Sequence, residues 1–170
     1  MYWLAKMLAG GEDPRFLARR LVIFASEDVG LADSRALLVA NATFDAVERV
    51  GLPECELNLA HATLFLATCP KSNSSTIALA NAKNMLAKHP MQQVPSAIKD
   101  RHGRNKQHRE EQEKGYLYSH NYPDNVSGQD YLENPLPIYQ PRKDGAESVI
   151  AERLDRWKAL KKKIQTEEKQ

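Results

Sequence analysis

An all-α fold is predicted on three observations. Apolar residues recur at three- and four-residue steps through much of residues 1–95. Capping side chains and prolines stand where those runs begin, and glycines where they end, as at Asp13-Pro14, Asp33, Pro53, Gly30 and Gly51. No segment alternates apolar and polar residues as a half-buried strand requires. The predicted architecture is a compact multi-helix, bundle-like array with a long Tyr/Pro-rich irregular segment and a C-terminal amphipathic helix. Residues 1–95 are expected to form the helical core, 96–114 a charged loop or exposed helix, 115–145 a Tyr/Pro-rich wrap and 146–170 the last helix, all in one domain.

Asp13 is an N-cap and Pro14 takes the first helical position, where its missing N–H costs nothing. Leu17, Leu21, Phe24 and Asp28 follow at helical spacing, and Gly30 is placed to end that helix with a left-handed cap. Asp33 caps the next, whose Leu37, Ala40, Phe44 and Val47 share one stripe closed by Gly51. Pro53 is expected to open a third helix, with Glu54 and Glu56 favoured by the dipole. Leu57, Leu59, Ala60, Leu64, Phe65 and Leu66 make that helix apolar nearly all round, which predicts a central position, and Pro70 ends it. A fourth runs from about Asn73 to Lys88, capped by Ser72 or Asn73 and stopped by His89-Pro90.

Residues 99–114 hold almost no apolar side chain and predict a solvated helix or loop. Five of the six tyrosines then fall between positions 116 and 139 among Pro123, Pro135 and Pro137, an extended wrap whose rings are expected to pack on the bundle. Ile150, Leu154, Trp157, Leu160 and Ile164 form one stripe of the final helix, opposite Arg153, Arg156, Lys158 and Lys161 to Lys163. The last six residues are expected to fray.

A chain of 170 residues is enough for one domain that buries roughly 70% of its unfolded surface. With 24 Lys+Arg against 22 Asp+Glu, net charge alone announces no nucleic-acid binder, so any basic patch is local. Cys55 and Cys69, with no export pattern after Met1-Tyr-Trp-Leu-Ala-Lys6, predict a reduced, intracellular chain. The apolar run Leu57 to Cys69 falls short of the about 20 residues that span a bilayer, so no membrane partner is expected.

Catalytic parts are missing. No Gly-x-x-x-x-Gly-Lys-Ser/Thr loop exists to cradle a nucleotide phosphate, and no Gly-x-Ser-x-Gly elbow or His-Glu-x-x-His pair occurs. Ser26, Glu27, Asp28 and Asp33 can bring oxygens around a cation, but capping explains the same residues. Lys71, Ser72 and Asn73 can meet a phosphate at a helix N-terminus, with plain capping the alternative. Arg19 and Arg20 can face an acidic partner or pair internally with Glu27 and Asp28. His61 and Cys69 lie about two turns apart, too far for one zinc, and core packing accounts for them. His102, His108 and His120 have no metal-ligand spacing. Arg101, Arg104, Lys106 and Arg109, or Lys161 to Lys163, can contact phosphates, with Tyr116 and Tyr118 stacking on bases.

The order Leu4-Ala-Lys-Met-Leu, Gly11-Glu-Asp-Pro, Ala18-Arg-Arg-Leu, Ala25-Ser-Glu-Asp-Val-Gly, Pro70-Lys-Ser-Asn, Gly115-Tyr-Leu-Tyr-Ser-His-Asn-Tyr-Pro and Gln129-Asp-Tyr-Leu covers nearly the whole chain. It resembles the C-terminal helical region of the replication-associated recombination factor A (MgsA) family, AAA+ ATPases related to clamp loaders and to the eukaryotic Werner-helicase-interacting protein. The matching positions include Arg19, Arg20, Ser26, Glu27, Asp28, Gly30, Asp33, Pro70, Lys71, Ser72, Asn73, Gly115, Tyr116, Tyr118, His120, Tyr122, Pro123 and Tyr131. The resemblance implies an α-helical oligomerisation domain that follows an ATPase core and holds a homotetramer. It implies no enzyme and no cofactor in this chain, ATP and magnesium belonging to the core. Replication-fork DNA and single-strand-binding protein are the partners it implies for the full-length protein, in the bacterial cytoplasm at the nucleoid. A nucleic-acid-binding module is the alternative function. Residues 98–114 depart from the family: Ala97-Ile98-Lys99-Asp100 and a charged insertion stand where His-Leu-Arg-Asp/Asn and Gly-Tyr-Gly are expected. The chain begins inside a motif, at Tyr2-Trp3-Leu4-Ala5, and is expected to be a piece of a longer protein.

Overall fold

Apolar residues at helical spacing build helices throughout the computed structural model, which describes residues 1–88, 91–98 and 115–167. Among these residues there is no strand. The helices are α1 (Tyr2–Ala9), α2 (Pro14–Phe24), α3 (Arg35–Val50), α4 (Cys55–Thr68), α5 (Ser74–Lys88) and α6 (Glu147–Glu167), joined by short 3-10 and π turns. Two compact units divide the chain. One comprises Met1–Ala80 and Tyr139–Ile150, the other Asn81–Ile138 and Ala151–Gln170.

In the first unit, α2, α3 and α4 pack against one another. Asp13 caps α2 as its sequence predicts, its carboxylate accepting the Arg15 N–H at 2.9 Å. One part of the core joins Leu4, Leu17, Ala18, Val47, Cys55 and Leu59. The other joins Ala25, Val29, Ala36, Ala40, Leu66 and Cys69. Leu59 and Leu66 are the largest fully buried aliphatic side chains, each worth about 2 kcal/mol by transfer from water. The alanines let the helices approach closely.

Three expectations for this unit are corrected. α4 starts at Cys55, two residues after Pro53, because Gly51 and Pro53 offer their carbonyls to the Cys55 and Glu56 N–H groups and residues 52–54 form a turn. Nor is α4 buried all round. Cys55, Leu59, Ala62 and Leu66 face the core, but Leu57 is 74% exposed and Leu64 53%. Leu37, expected on the buried stripe of α3, is also exposed.

The second unit is fastened by amide side chains. Gln129, buried, accepts the Leu117 N–H at 2.9 Å and donates to the Gly115 carbonyl at 3.2 Å. Gln92 and Asn134 exchange two hydrogen bonds, and Gln165 donates to the Gly128 carbonyl at 2.8 Å. Irregular backbone leaves its polar groups unpaired, and these amides satisfy several of them. Of the five tyrosine rings expected to pack, Tyr122 and Tyr139 are half-buried, while Tyr116, Tyr118 and Tyr131 are exposed and the amides anchor the chain beside them. Along α6, Leu154, Trp157 and Leu160 are half-buried and Ile164 is buried, as their stripe predicts.

Candidate functional site

Three junctions between helices meet in the first unit. At the first, α2 passes into a π-helical turn over Ala25–Val29 and a 3-10 turn over Gly30–Ala32. The left-handed cap expected at Gly30 does not form: φ is 50° but ψ is −130°. The Ser72 backbone passes close by, so that a Cβ at Gly30 would lie 2.6 Å from its carbonyl oxygen, and only glycine fits here. The carbonyls left over by the π-turn are taken up by the second junction. Ser72 N–H donates to the Asp28 carbonyl at 2.8 Å, and the Thr76 hydroxyl donates to that of Glu27 at 3.3 Å.

Asp33 starts α3. Its Oδ1 accepts the Arg35 N–H at 3.0 Å and Arg35 Nε at 2.9 Å, while Oδ2 accepts Arg35 Nη2 at 2.7 Å. These hydrogen bonds outweigh burial and hold the Asp33 carboxyl below its ordinary value. The Cys69 thiol lies 3.8 Å from Oδ2. Burial and the facing Asp33 push that thiol up, and burial with Glu56 pushes Cys55 up, so both are poor nucleophiles.

The second junction is Pro70-Lys71-Ser72-Asn73. Lys71 reaches back to the end of α4, donating to the carbonyls of Leu66 at 2.9 Å and of Cys69, with its ammonium 5.8 Å from the Phe24 ring centre. A cation at a helix C-terminus satisfies unpaired carbonyls and suits the dipole. The residue singled out for phosphate contact is thus a C-terminal cap. Ser72 Oγ accepts the Ser74 N–H at 3.3 Å, the first turn of α5.

The third junction, Asp144 to Glu147, was not singled out in the sequence. Ala146 N–H donates to the Ala32 carbonyl at 2.9 Å. Glu147, the first residue of α6, is completely buried. Its carboxylate accepts the Ser72 hydroxyl and, at 2.8 Å, the Tyr139 hydroxyl; Ser74 Oγ is buried beside it without an ordinary hydrogen bond. Burial alone would raise this carboxyl. The facing hydroxyls and the Arg142 N–H outweigh burial, so it lies below its ordinary value. Its place in the first turn of α6 adds the favourable end of the helix dipole. Burial and the Glu147 carboxylate push the Tyr139 phenol up to about 12, which keeps it a donor. The signal available in sequence was a lone glutamate opening an apolar-striped helix, which reads equally as dipole compensation.

Other expected contacts are absent among the described residues. Arg19 and Arg20 are exposed and make no ion pair with Glu27 or Asp28; the Arg19 guanidinium lies 5.5 Å from the Phe16 ring centre. Arg35 forks onto Asp33, its neighbour at the same helix start. Among the described residues no group of three His, Cys, Asp or Glu side chains is placed to hold a metal ion. His120 Nδ1 lies 3.1 Å from Asn125 Oδ1 and its ring packs beside Tyr118 at 5.1 Å. Tyr122 is half-buried and Pro123 begins a 3-10 turn. Arg101, Arg104, Lys106 and Arg109 lie outside the described residues. No described helix is long and apolar enough to cross a membrane.

The junctions therefore form a hydrogen-bonded lock built from two of the motifs and a buried carboxylate, with no activated nucleophile among its parts. The family model for the MgsA AAA+ ATPase C terminus matches residues 1–158. The chain is 46% identical over 96% of its length to an uncharacterized AAA domain-containing protein of Mycobacterium tuberculosis, covering 36% of that protein. It is 43% identical over 91% of its length to a Thermotoga maritima protein, covering 25% of it. It is 38% identical over 92% of its length to replication-associated recombination protein A of Haemophilus influenzae, covering 36% of it. The chain thus spans about a third or less of these relatives. Matched by that family model over most of its length and holding no ATPase core, the chain belongs to the MgsA C-terminal family of AAA+ ATPases.

Proposed function

We propose that this chain is the self-association domain of its AAA+ ATPase and holds it in a homotetramer. The observation that carries the reading is the outer face of α4. Leu57 and Leu64, two turns apart, are 74% and 53% exposed, with Leu38 of α3 at 70%. Unpartnered leucines at helical spacing favour a covering helix from another copy. The ATPase core of the full-length protein would use ATP and magnesium and act on replication-fork DNA in the bacterial cytoplasm, at the nucleoid and with single-strand-binding protein. The name of the Haemophilus influenzae relative supports a role in replication-associated recombination.

Sedimentation equilibrium at micromolar concentration tests self-association, with the expected result a tetramer mass. Leu57→Glu combined with Leu64→Glu places like charges at a self-complementary interface and is expected to shift the mass to the protomer. Exposed substitutions change stability by only about 0.5 kcal/mol, so melting of the protomer should be little altered. A strict monomer for the unsubstituted chain across this range refutes the reading.

A further inference from the structure

We propose that the second unit carries a cleft for a single strand of nucleic acid, between the Ser119–Tyr131 segment and α6. The cleft has a volume of about 440 Å³, the size of a small-ligand site, and is walled by Val126, Tyr131, Leu154 and Trp157 with Lys158 and Lys161. Tyr131 is 52% exposed and Tyr118, beside Ser119 of the lining, 53%. Tyr118 and the His120 ring form a tilted pair at 5.1 Å. Ring faces beside lysines are what successive unpaired bases stack on while their phosphates meet the cations. A duplex keeps its base faces stacked inside and offers none to these rings.

Charge and hydrogen bonding agree with this occupant. The solvent side of α6 carries Arg153, Arg156, Lys158, Lys161, Lys162 and Lys163 against Glu152, Asp155 and Glu167. Lys158 pairs with Asp155 at 3.7 Å, Lys161 with Asp130 at 2.7 Å, and Arg156 with the cleft's Asp124 at 3.2 Å. The exposed Lys158–Asp155 pair contributes little and the half-buried Lys161 still opens onto the cleft, so a phosphate can take over the lysines. Trp157 Nε1 is buried with no acceptor among the described residues.

This surface extends the replication-fork reading to the chain itself and is independent of self-association. The chain's two tryptophans make it testable by fluorescence, because Trp3→Phe leaves Trp157 as the sole reporter. An oligothymidylate of about fifteen nucleotides should quench that signal saturably. If about three phosphates are neutralised, affinity should fall about twentyfold between about 50 and 200 mM salt. Lys158→Gln with Lys161→Gln should flatten the salt dependence, and Tyr131→Ala should weaken binding about tenfold. Replacing Arg101, Arg104, Lys106 and Arg109 by Gln should leave the quenching in place. Absence of saturable binding overturns the proposal. So does binding that ignores the lysine and tyrosine variants but is lost in the Arg101 to Arg109 variant, tighter binding of duplex, or quenching by an acidic peptide alone. Sedimentation equilibrium on the same samples separates the two readings: an intact tetramer without strand binding defeats only this cleft, and strand binding by a monomer defeats only self-association.

Discussion

Asp33 shows how much one side chain can organise. The same carboxylate caps α3 through the Arg35 N–H, fixes the Arg35 guanidinium and faces the buried Cys69 thiol. Asp33→Ala should destabilise the first unit by about 1 kcal/mol, within a range of roughly 0.5 to 2. Asp33→Asn, which keeps an acceptor for the cap but loses the charge, should cost less. Thermal melts of the two variants decide it, and unchanged melting of Asp33→Ala refutes the capping role. The cap was legible in sequence because it depends on neighbours within two positions. The place of Asp28 was not: read in sequence as a capping oxygen or a partner of Arg19 and Arg20, it has an exposed side chain. The π-turn carries Asp28 outward and engages its backbone carbonyl instead.

The elements themselves follow local rules, and their junctions do not. Helix starts at Asp13 and Asp33, the stop at Gly51 and the stripe on α6 were readable from caps and period. The lock joins Ser72 to Glu147 across 75 positions, a pairing no window of helical periodicity contains. Anchoring of the wrap by Gln129 was hidden for a related reason, since an amide carries no periodic signal and the tyrosines beside it do. Close approach of the third junction gives a prediction at this scale. Gly145 has φ 54°, and a Cβ there would meet the Ala32 carbonyl oxygen and lie 2.7 Å from Pro70 Cγ. Ala32 lies in the first junction, its carbonyl accepting the Ala146 N–H, and Pro70 in the second, so atoms on two sides face the added Cβ. Gly145→Ala should therefore cost at least about 1–3 kcal/mol from backbone conformation alone. Gly11, also at positive φ but with open space around it, is the control: Gly11→Ala should cost less. Equal melting shifts for the two would show that the junction is looser than its geometry implies.

For the molecule as a whole, two depressed carboxyls in one unit set the response to acid. Glu147 and Asp33 both titrate below their ordinary values of 4.5 and 3.8. A carboxyl that is more acidic folded than unfolded contributes stability fully present above its unfolded value and lost as pH falls through its folded one. The first unit should therefore melt at a constant temperature near neutral pH and progressively lower once pH drops below about 4.5, with the loss continuing past 3.8. Glu147→Gln separates the contributions. It keeps an acceptor for Ser72 and Tyr139 but sets an amide N–H₂ against hydroxyl partners, so it should start less stable by about 1–3 kcal/mol at neutral pH. Having lost one of the two titrating groups, it should then decline less steeply in acid. Calorimetric melts of both forms from about pH 7 to pH 3 provide the measurement, with the variant's shallower slope as the diagnostic. A variant that loses melting temperature as steeply as the unsubstituted chain would show that Glu147 is not ionised inside the lock, and that its hydroxyl contacts hold a neutral acid.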